Sequence, residues 1–100
     1  MSHDENYLSD LYTAFSEVKS FEEFNNFLND LCTPAEMSAM TERWAIVLLL
    51  NEKLSYREIR EKTGSSLATI TRVARFLKQE RYQGYNLVLN RMKERAENKL

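Results

Sequence analysis

Apolar residues recur every three or four positions along almost the whole chain, and that spacing divides it into helices. In residues 4–19, Tyr7, Leu8, Leu11, Tyr12, Phe15 and Val18 form one wide stripe. Ser20 and Glu23 then have the spacing of a capping box, followed by Phe21, Phe24, Phe27, Leu28 and Leu31 on a second face. Thr33-Pro34-Ala35-Glu36 is the cleanest helix start: threonine caps, proline sits where no N–H is needed, and Glu36 completes the box. The helix continues through Met37, Met40, Trp44, Val47 and Leu48 towards Glu52. Around Ala45–Leu50 its apolar positions cover more than one face, which predicts the central, most buried helix, with Trp44 as a core anchor.

The next two helices are short and separated by a tight turn. Ser55 is an N-cap with Glu58 three residues on, and Ile59 and Thr63 lead to Gly64, which suits a left-handed helix stop. Ser65 and Ser66 supply a second cap, and Leu67, Ile70, Val73, Ala74 and Leu77 recur at helical spacing. Residues 55–78 therefore read as a helix-turn-helix, with Ile59, Ile70 and Val73 in the core. Gln79–Gly84 breaks the pattern, with Gly84 ending or redirecting a turn. Tyr85, Val88, Leu89 and Met92 predict a last helix, Leu87 falls off its stripe, and residues 93–99 read as a solvated, fraying tail. The expected architecture is all-α, about six helices in one domain spanning residues 1–100.

Composition narrows the class further. With 100 residues, 43% hydrophobic, 2 glycines and 1 proline, the chain is too apolar for disorder and too poor in turn residues for an all-β fold. The longest apolar run, Trp44–Leu50, is far short of the ~20 residues that span a bilayer, and the start does not resemble a signal peptide. Cys32 is the only cysteine, which fits a reducing compartment, so a cytoplasmic protein with no membrane partner is expected. His3 stands alone and Cys32 has no histidine nearby. No Cys/His set has metal spacing, and no glycine-rich loop could cradle phosphate. Neither catalysis nor a metal or cofactor is expected.

Charge changes the picture more. Residues 1–50 hold two basic and nine acidic residues, whereas residues 51–100 hold twelve basic and six acidic. The excess is densest from Lys53 to Arg81, with eight basic residues against three acidic (Glu58, Glu61, Glu80). A cationic helix-turn-helix points to double-stranded DNA, because the second helix of such a unit enters the major groove. Leu67 and Ala68 suit thymine methyls, Thr69 and Thr71 suit base edges, and Arg72 suits a bidentate pair with guanine. Arg57, Arg60, Lys62, Arg75 and Lys78 suit phosphates. The plainer alternative is a solvated helix surface, or a helical adaptor that keeps the unit as a scaffold for protein contacts.

These residues also carry a resemblance. The Thr-Pro-x-Glu opening at Thr33, followed by LSYREIREKTGSSLATITRVARFLK, resembles the Trp repressor family, and within it the YerC/YecD-type group. The likeness runs from about Leu31 to Lys78 and is most specific at Ala68-Thr69-Ile70-Thr71-Arg72. It implies an intertwined homodimer in which residues 1–32 form the dimerisation helices. The apolar stripes alone favour the dimer more weakly, with packing inside one chain as the alternative. It also implies a ligand pocket at Thr33, Arg43, Thr69, Arg72, Val73 and Phe76. Thr33, Arg43 and Arg72 match the polar positions that hold tryptophan. Val73 and Phe76 stand where a glycine and a serine make room for the indole, and Asp30 and Cys32 replace leucines. A branched side chain and a phenyl ring should overfill that slot, so no tryptophan response is expected. Phe76 would then stand in for the ligand ring, and a repressor gated by some other effector is the remaining alternative.

Overall fold

The computed structural model describes residues 3–79 and 81–98, so Glu80 and Lys99 of the charge and tail readings lie outside it. Six helices form, in the order α1 (His3–Ser16), α2 (Phe21–Leu31), α3 (Pro34–Asn51), α4 (Tyr56–Thr63), α5 (Leu67–Lys78) and α6 (Gly84–Asn98). No strand occurs among the described residues, as the 3-4 spacing predicts.

Local capping explains most of the boundaries. The Glu36 N–H donates to Thr33 Oγ1 at 3.1 Å, and the Thr33 N–H donates to Glu36 Oε1 at 2.8 Å, closing the predicted box. Ser20 caps α2 through the Glu23 N–H at 3.1 Å. Glu23, however, reaches past the cap to the Lys19 N–H at 2.8 Å. Helix α3 ends where Leu54 N–H bonds to the Leu49 carbonyl and Lys53 N–H to that of Leu50, a Schellman pattern with Lys53 in the left-handed region at φ 70°.

The chain divides into two compact units, Met1–Ser38 and Ala39–Leu100. In the first, α1 and α2 meet through an edge-to-face contact of Phe15 with Phe27, ring centres 5.6 Å apart. No side chain described between residues 6 and 38 is buried. Tyr7, Tyr12 and Phe21 are 67%, 63% and 95% exposed. Val18, counted in the first stripe, lies beyond the end of α1.

The second unit holds the core. Ile46 and Val47 of α3, Ile59 of α4, and Ile70, Val73 and Ala74 of α5 are buried. Trp44, Leu49, Leu50, Leu54, Leu77, Tyr85 and Leu89 pack around them. Ile59, Ile70 and Val73 are where the sequence placed them, each worth roughly 1.5–3 kcal/mol of apolar burial. The most buried helix is α5, not α3. Leu48, Leu49 and Leu50 stay only partly covered because α3 is apolar on more faces than this one chain packs against.

Gly84 ends the turn and opens α6, and Gln83 before it takes the left-handed conformation at φ 55°. Asn86 secures this junction, its amide donating to the Leu77 carbonyl at the end of α5 at 2.7 Å. The tail continues as helix to Asn98 because lysine, glutamate, arginine and alanine are strong helix formers. Its residues 91–98 are exposed, as expected.

Candidate nucleic-acid interface

Helix α4 starts in a full capping box, the Glu58 N–H donating to Ser55 Oγ at 3.1 Å and the Ser55 N–H to Glu58 Oε1 at 3.0 Å. Donation from the Ser55 backbone, then its hydroxyl contact, holds the Glu58 carboxyl below the usual glutamate range. Thr33 does the same for Glu36, backbone first. Helix α4 ends at Gly64, whose φ of 72° is the left-handed stop, its N–H bonding to the Arg60 carbonyl at 2.9 Å.

The two serines after Gly64 divide their work. Ser66 is the N-cap of α5, accepting from the Thr69 N–H at 3.1 Å. Ser65 is 4% exposed and turns inward, donating to Glu42 Oε1 of α3 at 2.5 Å. The turn is therefore tied to α3 by a buried polar contact that sequence reasoning missed. Glu42 and Ser65 lie 23 positions apart with no spacing rule to link them.

With Ile70, Val73 and Ala74 turned into the core, the opposite side of α5 is presented outward. Leu67, Ala68, Thr71, Arg72, Arg75 and Lys78 are exposed on α5, and Arg57, Arg60 and Lys62 are exposed on α4. Leu67 is 49% exposed at the start of the helix. Thr69 differs: it is half-buried, with its hydroxyl 3.0 Å from that of Ser66, so the α5 cap occupies it. Arg57 pairs with Glu61 at 3.5 Å, but both side chains are solvent-exposed and such a contact is weak enough to yield to a phosphate.

Tyr56, not singled out in the sequence, borders several hollows, two of them lined by several proposed DNA contacts. One, of about 440 Å³, includes Arg57, Arg60 and Leu67. The other, of about 290 Å³, includes Thr71, Arg75 and Lys78. A tyrosine between a serine cap and an arginine gives no periodic signal, and its α5 neighbours arrive only with the fold.

The predicted ligand pocket forms in part. Arg43, Arg72, Val73 and Phe76 line a cavity of about 520 Å³ with Trp44, Tyr82, Gln83, Gly84, Tyr85 and Val88. Val73 is buried and Phe76 half-buried, and both form part of the cavity wall. Trp44 is partly covered against the core and faces Tyr85 with ring centres 6.2 Å apart, so it is both core and wall. Thr69 is not in the lining, and Thr33 belongs to the other unit, where it caps α3. Among the described residues, no group of His, Cys, Asp and Glu is placed to hold a metal ion, and no helix is long and apolar enough to cross a membrane.

An all-α chain whose surface cations gather on a helix-turn-helix falls in the class of helix-turn-helix proteins. Residues 6–93 match the family described as Trp repressor protein. The chain belongs to the Trp repressor family. It is 36% identical to an uncharacterized protein, YerC, of Bacillus subtilis over 87% of this chain and 83% of that one. It is 40% identical to a Trp operon repressor homolog of Chlamydia caviae over 75% of each. A crystal structure of a TrpR-like protein from Eubacterium eligens superposes with a TM-score of 0.82 at 34% identity, covering 88% of this chain and 90% of that one.

Proposed function

We infer that this chain is a transcription regulator that reads double-stranded DNA as a cytoplasmic homodimer, through α4, the Gly64 turn and α5. The observation that carries this reading is the division of α5. Its apolar residues lock it to α3 and α4, while Ala68, Thr71, Arg72, Arg75 and Lys78 stand outward beside Arg57 and Arg60 of α4. Small and polar groups suit base edges, and cations suit phosphates. Tyr56, between the two basic groups, suits a phosphate oxygen through its hydroxyl.

The dimer is supported by the first unit. Two helices carry Tyr7, Leu8, Tyr12, Phe21, Phe24 and Leu31 on exposed faces with no buried side chain among those described, and such faces mark interfaces. Residues 1–32 then join two copies into one functional domain. The two α5 helices enter successive major grooves, about 34 Å apart, on a roughly palindromic site. Occupancy of a promoter would block transcription there. Names of the relatives, two of them Trp operon repressor homologues, support this regulatory role.

Tryptophan is not expected to control this protein, because Val73 and Phe76 occupy two positions where the family resemblance implies smaller residues. The cavity of about 520 Å³ beside Arg43 and Arg72 favours a second reading, gating by a different small molecule. The test is titration of a mixed-sequence duplex pool at rising salt, with sedimentation of the free protein. A dimer whose affinity falls steeply with salt supports the DNA reading. A monomer with flat salt dependence refutes it and leaves the adaptor alternative.

A further inference from the structure

Phe76 is the one half-buried aromatic on α5, and the surface cations nearest to it on the helix are two of the proposed DNA contacts. The Arg72 guanidinium carbon lies 4.6 Å from the centre of its ring and that of Arg75 lies 5.4 Å away. No carboxylate of the described residues forms an ion pair with Arg72. An arginine side chain otherwise samples many rotamers, and a binding event that needs one of them must pay for the ordering. A ring face attracts a guanidinium and restricts it without neutralising it, unlike a carboxylate, so the charge of Arg72 stays available to DNA.

The geometry points to Phe76 as a positioning residue that holds Arg72 and Arg75 ready for DNA before any contact is made. This inference rests on the DNA reading above and adds the source of the order on that face. Phe76 touches no base or phosphate itself. It also lines the cavity with Arg43 and Arg72, so the same ring joins the cavity wall to the reading surface.

The test compares F76L, which keeps apolar bulk but loses the ring face, with F76Y, which keeps both. Binding to a duplex selected by the unaltered protein is measured for each, with a thermal melt to verify folding. Arginine Nε–Hε relaxation by NMR is measured on the free proteins. Each exposed cation–π contact corresponds to roughly a 2- to 5-fold equilibrium factor. F76L, which loses two such contacts, should therefore bind about 4- to 25-fold more weakly, with Nε–Hε of residues 72 and 75 more mobile, and F76Y should match the parent. In an R72M/R75M background F76L should change affinity less than 2-fold by the same estimate, which a purely structural loss would not do. Unchanged affinity and unchanged arginine mobility in F76L overturn the inference. If the unaltered protein selects no duplex, the DNA reading fails and takes the positioning role with it; NMR still reports whether the ring orders the two arginines.

Discussion

Replacing Gly64 by alanine isolates the conformational cost of the turn on which the helix-turn-helix depends. Gly64 adopts φ 72° and ψ 8°, and a Cβ built there meets no atom within 4 Å. Collision therefore contributes nothing, and the whole effect comes from the left-handed backbone. That conformation costs an L-residue about 1–2 kcal/mol. Removing glycine's extra freedom from the unfolded chain returns about 0.4–1 kcal/mol. The net loss should be about 1 kcal/mol, which lowers the melting temperature by roughly 4–8 °C in a domain of this size. Asparagine, which tolerates the left-handed region, should lose less. Lys53 offers the reverse experiment, since it already occupies φ 70° at the end of α3. K53G should gain stability where G64A loses it. Urea unfolding by circular dichroism, at one fixed protein concentration, measures both. No loss in G64A, or a loss above about 3 kcal/mol, would refute the assignment of the cost to backbone conformation alone.

Other consequences follow from the same geometry. S65A should destabilise by about 1–3 kcal/mol, because it removes the hydroxyl that donates to Glu42, and urea unfolding of S65A beside E42A/S65A should show much of that loss relieved in the double variant. The Glu58 carboxyl titrates lower in the folded chain than in the unfolded one, so its contribution is present at neutral pH and is lost as pH falls through and below the usual glutamate range. The stability gap between the parent and E58Q should therefore shrink on acidification, measured by urea unfolding from pH 7 to pH 3. R60A should weaken all duplexes alike and reduce the salt slope by about one unit, whereas R72A should cost about 1–3 kcal/mol and relax preference at one base position, both read by fluorescence anisotropy.

Much of this fold is written locally. Thr33, Ser55 and Ser66 cap the helices the sequence assigns to them, and Gly64 takes the left-handed turn. Each of those outcomes depends on groups within four residues of one another, which a linear reading can see. Where the chain returned on itself, the signal failed. The Ser65–Glu42 contact joins positions that no periodicity relates, and Tyr56 meets Arg75 and Lys78 only once α5 folds against α4. The cavity beside Val73 and Phe76 takes much of its wall from residues 82–88 after the turn, which no pattern within α5 announces. Before α6 the left-handed residue is Gln83, which no sequence signal marks, and Gly84 serves as the first residue of the helix.

The central claim is that the outward face of α5 reads DNA without a ligand. The measurement that tests it most directly is selection of random duplex DNA by the purified protein, near physiological salt, with no small molecule added. The account predicts a recovered near-palindrome with half-sites about one helical turn apart. Recovery of no preferred sequence would contradict it.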